Sequence, residues 1–182
     1  MFEFNVTGIE DAIKAIESFA VTIPDKMDEV IERLMNDGYS IASAAFAKAL
    51  YSGENDVIVD PPVWEGDTMV MYANGEAVAF IEFGTGKKYE KYPEQIPGSK
   101  ENPYVTLHLS AREEYGKKKA KRGKWQYVGE PGNLGKIQHV KKNGELVIVT
   151  EGNPPARAMY GAAEAVANRE RALEIAREVF NR

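Results

Sequence analysis

Between residues 27 and 50, apolar side chains recur every three or four positions. Met27, Val30, Ile31, Leu34, Met35, Ile41, Ala42, Ala45, Phe46 and Ala49 hold to a 3.6-residue period. The pattern predicts one helix over about 24–50, which at 1.5 Å per residue is about 40 Å long. Pro24 suits its first turn, where an amide has no partner to lose. Asp25, Asp28 and Glu29 complement the positive end of the helix dipole. The two halves differ in character. Lys26, Glu32, Arg33 and Asp37 wet the first, whereas 38–50 carries only Lys48 as a charge and is rich in alanine. That second half needs cover from a sheet or from a neighbouring subunit.

The rest of the chain arranges itself around this helix. Phe2-Glu3-Phe4-Asn5-Val6 alternates as a short strand does, and Thr7-Gly8-Ile9-Glu10 has capping-box spacing, predicting a first helix over about 8–19 before the restart at Ile23-Pro24. Val57-Ile58-Val59 and Thr68-Met69-Val70-Met71-Tyr72 read as strands, and Asn74-Gly75 as a tight turn. The run 77–83 fits either a returning strand or two helical turns. From about 87 to 124 the chain is polar and broken by Pro93, Pro97, Gly98 and Pro103, which predicts a long excursion loop. Trp125-Gln126-Tyr127 returns to order. A hairpin follows, from Gln138 through an Asn143-Gly144 turn to Thr150. A last helix over about 157–181 carries Met159, Ala162, Ala163, Val166, Leu173, Ala176 and Phe180, with an alanine-rich start that suits intrachain core or subunit contact. The expected fold is α+β: a small, mostly antiparallel sheet packed against two long helices, with a long excursion. It forms a single domain, residues 1–182, with a core of about 1–83 and 125–182.

Composition removes several classes of function. The net charge is −5, with no overall pull toward nucleic acid or anionic membrane, and no run of 18 apolar residues predicts a membrane span. The chain contains no cysteine, which excludes disulfides, thiolate metal sites and cysteine nucleophiles. The N-terminus lacks the basic-then-apolar pattern of a signal peptide, so synthesis in the cytoplasm is expected. Gly84-Thr85-Gly86-Lys87-Lys88 has the look of a phosphate cradle but lacks the Walker spacing and a following helix start. Its glycines suit turn angles that other residues avoid. Glu82, set between Ile81 and Phe83, is expected to accept hydrogen bonds from backbone amides or a basic side chain rather than to catalyse. His108 and His139 are far apart in sequence, have no metal-binding spacing, and Glu113 and Glu114 beside His108 read as a helical charge cluster. A small metal-dependent hydrolase using His108, His139 and Glu82 is therefore a minor alternative; no catalytic, cofactor or metal residue is assigned. Lys117, Lys118, Lys119, Lys121, Arg122 and Lys124, followed by Trp125 and Tyr127, have the basic-plus-aromatic pattern of a sequence-independent nucleic-acid contact, a second alternative set against a solvated loop.

Three stretches in order resemble the tail-completion or head–tail joining proteins of long-tailed phages. Ala79-Phe80-Ile81-Glu82-Phe83-Gly84-Thr85-Gly86 is similar to the family's EFGT(G) signature. Trp125-Gln126-Tyr127 resembles its W-x-Y element. Gly152-Asn153-Pro154-Pro155-Ala156-Arg157-Ala158-Met159-Tyr160 resembles the family's entry to the C-terminal helix, departing from it at Ala158 and Met159, where many members have Pro-Phe. The resemblance covers most of the chain. It implies a virion component without enzymatic activity that forms or completes a ring at the neck, through which DNA passes. Portal or adaptor and tail-tube proteins would be its partners, alongside further copies of itself. It also favours the short-helix reading of 77–83. On this reading Glu82, Phe83, Gly84, Thr85 and Gly86 form a structural turn, Pro154, Pro155, Ala156, Met159 and Tyr160 open the last helix, and the basic run faces DNA or an acidic partner.

Overall fold

The structure, a computed structural model, describes residues 7–85 and 124–182. The expected strand at 2–6, Gly86, His108, and the basic run apart from Lys124 lie outside these residues. So do the side chains of the Thr7/Glu10 capping box and of Trp125.

The fold is α+β. Helix α1 runs Thr7–Ala47. Four short strands follow: β1 Ile58–Val59, β2 Val63–Glu65, β3 Thr68–Val70 and β4 Ala73–Asn74; then α2 Val78–Phe83. Beyond the excursion come β5 Trp125–Val128, β6 Lys136–Val140 and β7 Leu146–Thr150, then α3 Ala158–Val166 and α4 Arg169–Phe180. In place of one sheet there are three small ones among the described residues: β1 with β4, β2 with β3, and β5-β7-β6, all paired antiparallel. The segment 77–83 is helical, and the Asn143-Gly144 turn joins β6 to β7.

Two helix boundaries differ from expectation. The expected helices at 8–19 and 24–50 are one, with Pro24 inside it. Proline removes the amide that would bond the Ala20 carbonyl and weakens the turn before it. The Thr22 hydroxyl bonds the Phe19 carbonyl at 2.8 Å there. Because this part of α1 is exposed on all sides, the freed carbonyl is open to water, which is why the helix passes through. Pro24→Ala should therefore strengthen the segment, with slower amide exchange across 11–23 worth up to about 3 kcal/mol. Conversely, the expected helix at 157–181 is two. The Ala167 amide still bonds the Ala163 carbonyl at 2.9 Å, but Asn168 turns extended and its side chain caps α4 by accepting from the Arg171 amide at 3.0 Å.

The main core lies where α1, α2 and α3 meet. Ala42, Phe46, Ala49, Val59, Ala77, Ile81, Ala158 and Ala162 are buried together. Small residues let α1 and α3 approach closely: a Cβ on Gly38 would stand 2.7 Å from Val166 Cγ2. The alanine-rich halves of the two helices thus cover each other within the chain. A second cluster joins the middle of α1 to α4 through Val30, Ile175 and Val179, flanked by Leu34, Ala176 and Phe180. Ion pairs Arg33–Glu178 at 3.1 Å and Arg171–Asp37 at 2.8 Å border it, both exposed enough to add little.

The carbonyls at and just past the end of α1 are met by other segments as well as by the next turn, where the Ala49 amide bonds the Phe46 carbonyl at 3.1 Å. Asn55 Nδ2 donates to the Phe46 carbonyl at 2.8 Å, and Asn133 Nδ2 to the Ala49 carbonyl at 2.8 Å, while Asn133 Oδ1 accepts from the Tyr51 amide at 2.7 Å. The Gly132 amide reaches the Ser52 carbonyl at 2.8 Å and the Leu134 amide the Tyr51 carbonyl at 3.0 Å. A Cβ at position 132 would fall inside the carbonyl oxygens of Tyr51 and Gly53, so only glycine permits this contact. Asn133→Ala should lower unfolding free energy by about 1–2 kcal/mol in a urea titration, because both ends of its amide are used.

Candidate functional site

The signature stretch and the entry to the C-terminal helix meet side by side. At the end of α2 the chain turns through Gly84, whose φ of 73° and ψ of 172° belong to a region open essentially to glycine alone. A Cβ there would lie 2.7 Å from the Pro155 nitrogen and 2.8 Å from the Asn153 carbonyl oxygen. Two constraints therefore coincide at one residue.

From Gly84 onward the two segments are stitched in register. The Thr85 amide donates to the Asn153 carbonyl at 3.0 Å and the Asn153 amide returns a bond to the Thr85 carbonyl at 3.2 Å. The Thr85 hydroxyl donates to Asn153 Oδ1. Asn153 Nδ2 donates to the Phe80 carbonyl at 3.0 Å and, more weakly, to that of Pro154 at 3.3 Å. With its side chain so engaged, Asn153 is buried at 1% exposure. On the other side, the Ala156 amide meets the Ile81 carbonyl at 2.8 Å and the Arg157 amide that of Glu82 at 3.2 Å, both orphan carbonyls of α2.

Glu82 completes the clasp. Arg157, the residue before α3, sits in the left-handed region at φ 55° and offers no side-chain cap. The open amides of the first turn turn instead to a carboxylate from another segment: Glu82 accepts from the Met159 and Tyr160 amides, each at 3.0 Å. Burial pushes the Glu82 carboxyl above its ordinary value, opposed by the amides of Tyr160, Met159 and Ala158 and by the positive charge of Arg157. The Arg157 guanidinium lies over the Tyr160 ring, 4.7 Å from its centre. Asp56 plays a parallel part at α2, accepting from the Glu76 amide at 2.7 Å and the Ala77 amide at 2.9 Å, which holds its carboxyl below the usual value.

The arrangement assigns each residue a task. The Thr85 amide is bonded to Asn153 and so is not aimed at a phosphate. Glu82 spends both oxygens on α3. His139 lies exposed on β6, an element separate from α2. Among the described residues no group of three or more His, Asp or Glu side chains is placed to hold a metal. Of the basic run, Lys124 is exposed and pairs with Glu151. Tyr127 points inward, its hydroxyl donating to the Ser52 carbonyl. Pro154, Pro155, Ala156, Met159 and Tyr160 all lie half-buried at the clasp. Sequence reasoning missed Asn153, and also Ser52 and Thr150, whose buried hydroxyls bond each other at 2.5 Å. A signal for Asn153 existed, since a lone amide before Pro154-Pro155 has few backbone donors nearby and must bond outward.

The same segment holds both ends of the excursion. Thr85 pairs with Asn153, while Trp125 pairs with Thr150 and Lys124 with Glu151. The chain therefore leaves for 86–123 and returns at one place on the body. Among the described residues, no helix is long and apolar enough to cross a membrane. No protein-family model matches the chain, and neither a curated protein nor a solved structure matches it.

Proposed function

We propose that this chain is a structural protein of the virion of a long-tailed phage or prophage, a ring-forming connector that completes the head–tail junction or the tail end. The observation that supports it is the clasp itself. Two of the stretches that carry the resemblance, 82–85 and 153–160, lie against each other residue by residue although 68 positions separate Thr85 from Asn153. Their polar groups are consumed in holding the chain together rather than converging on a reacting atom, which suits a part that bears load. The clasp fixes one root of the 86–123 segment and the adjoining residues Thr150 and Glu151 hold the other, which makes that segment the natural element for meeting neighbours in a ring. Portal or adaptor and tail-tube proteins are the partners on this reading, with Lys117, Lys118, Lys119, Lys121 and Arg122 facing DNA in the lumen or an acidic partner surface. No catalytic residue or cofactor belongs to it.

The test is light scattering and negative-stain imaging of the purified protein, alone and mixed with the portal and tail-tube proteins of the same phage. Annular particles, alone or on the portal, are expected. A monomer at high concentration that stays monomeric with both partners would overturn the assignment.

A further inference from the structure

The first half of α1 carries an apolar stripe that the described residues leave largely exposed. Ile13, Ile16, Ala20, Ile23, Met27, Val30 and Leu34 follow one another at intervals of 3, 4, 3, 4, 3 and 4, the a/d spacing of helices that pair along a seam. Val30 and Leu34 meet α4. That helix ends beside Phe19, with Phe180 tilted against the Phe19 ring at 6.4 Å between centres and Lys26 Nζ bonded to the Val179 carbonyl at 2.9 Å. Beyond this point Ile13 is 49% exposed and Ile16 68%; alongside the end of α4, Phe19 at 50%, Ile23 at 38% and Met27 at 45% are only partly covered. The helix–helix seam inside the chain is thus longer on α1 than the helix that fills it.

We propose that the open end of this seam is filled by the same segment of a second copy, running antiparallel. The pattern is self-complementary. With the two-fold axis between Ala20 and Ile23, Ala20 of one copy lies opposite Ile23 of the other and Ile16 opposite Met27, small against large at the centre. Glu17 then faces Pro24, so no like charges meet across the seam. Half-exposed side chains of this size leave about 100 Å² each, so two copies would cover on the order of 1,000 Å², the lower edge of a specific interface. The flanks, with Asp11, Glu17 and Asp25 against Lys14 and Lys26, are net acidic, which disfavours an anionic membrane or nucleic acid as the occupant. This pairing is independent of the connector reading. A two-fold contact closes with two copies, whereas a ring repeats a head-to-tail contact, so either is able to fail alone.

The absence of cysteine makes the test direct. Ala20→Cys, near the axis, should give a covalent dimer with a short bismaleimide. Ser18→Cys, on the outer face, and Ile13→Cys, far from the axis in an antiparallel pair, should not. In sedimentation equilibrium the wild-type mass should rise with concentration from 20.2 kDa toward twice that value. Ile16→Glu should weaken association about tenfold or more with its melting curve unchanged, since Ile16 lies outside the body. Equal cross-linking at positions 13, 18 and 20, or none at 20 at the highest concentration, overturns the proposal. So does a monomer in which Cys at 13 and 20 is shielded from maleimide, which would mean that the chain covers its own stripe. Ring formation by an Ile16→Glu variant would leave the connector standing while testing only the pair.

Discussion

Gly84→Val is expected to cost roughly 4–6 kcal/mol, comparable to the whole stability of many domains. A β-branched residue at φ 73° and ψ 172° carries backbone strain of about 1–3 kcal/mol. Its Cβ would also occupy space held by the Pro155 nitrogen and the Asn153 oxygen, both backbone atoms of a bonded segment that have no rotamer to change. Relief requires the Thr85–Asn153 pairing to open, which strips the Thr85 hydroxyl and both Asn153 side-chain bonds in turn. Thermal melting should show either no cooperative transition or a large fall in Tm. Gly84→Ala should lie between the two, sharing the clash but not the branching. Native melting and normal assembly by the valine variant would refute the role given to this turn.

Glu82→Ala is the second large effect, at about 3–4 kcal/mol. It leaves the amides of Met159 and Tyr160 without their acceptor in a buried place and opens a cavity beside Ile81. Glu82→Gln should cost less, about 1–2 kcal/mol near neutral pH, because one amide keeps an oxygen while the other faces an NH2 group. The pH dependence separates charge from shape. Burial raises the folded-state carboxyl above the value it has in the unfolded chain. As pH falls, the folded protein takes up this proton first. The Glu82 contribution is thus most favourable below the ordinary glutamate value and is lost as pH rises through the folded one. The stability of wild type minus that of Glu82→Gln should decline with rising pH across that window. Asp56 works in the opposite sense: its lowered carboxyl contributes above the ordinary aspartate value and is lost on acidification. A difference curve that rises with pH would show that the helix amides outweigh burial at Glu82.

Local signals were read correctly where one residue type and its neighbours suffice. The period through Phe46 and Ala49 predicted a helix with a buried face, and Asn143-Gly144 predicted the β6–β7 turn. A carboxylate between Ile81 and Phe83 had to find amides, though its partners 77 and 78 positions away were not legible. Pairings of that kind depend on tertiary contact, and nothing in the pattern around 82 or 159 names the other. The sheet divided for the same reason: β1 and β4 are two residues each, too short to announce their partners. The break at Asn168 was available, since an Asn followed by Arg169-Glu170 has the composition of a helix start, but the apolar stripe on both sides masked it. Pro24 misled in the opposite direction, as an exposed helix tolerates a missing amide that a buried one would not.

The core that joins Ala42 and Phe46 to Ile81 and then to Ala158 and Ala162 has a consequence for synthesis. Its contacts span more than a hundred positions, so α1 emerges from the ribosome long before the residues that cover it. At 5–20 residues per second the wait for α3 is on the order of ten seconds, during which the alanine-rich face and Phe46 lack Ala158 and Ala162. Closure late in translation, with loop entropy to overcome, predicts slow refolding and a chain prone to associate through that face when truncated before α3.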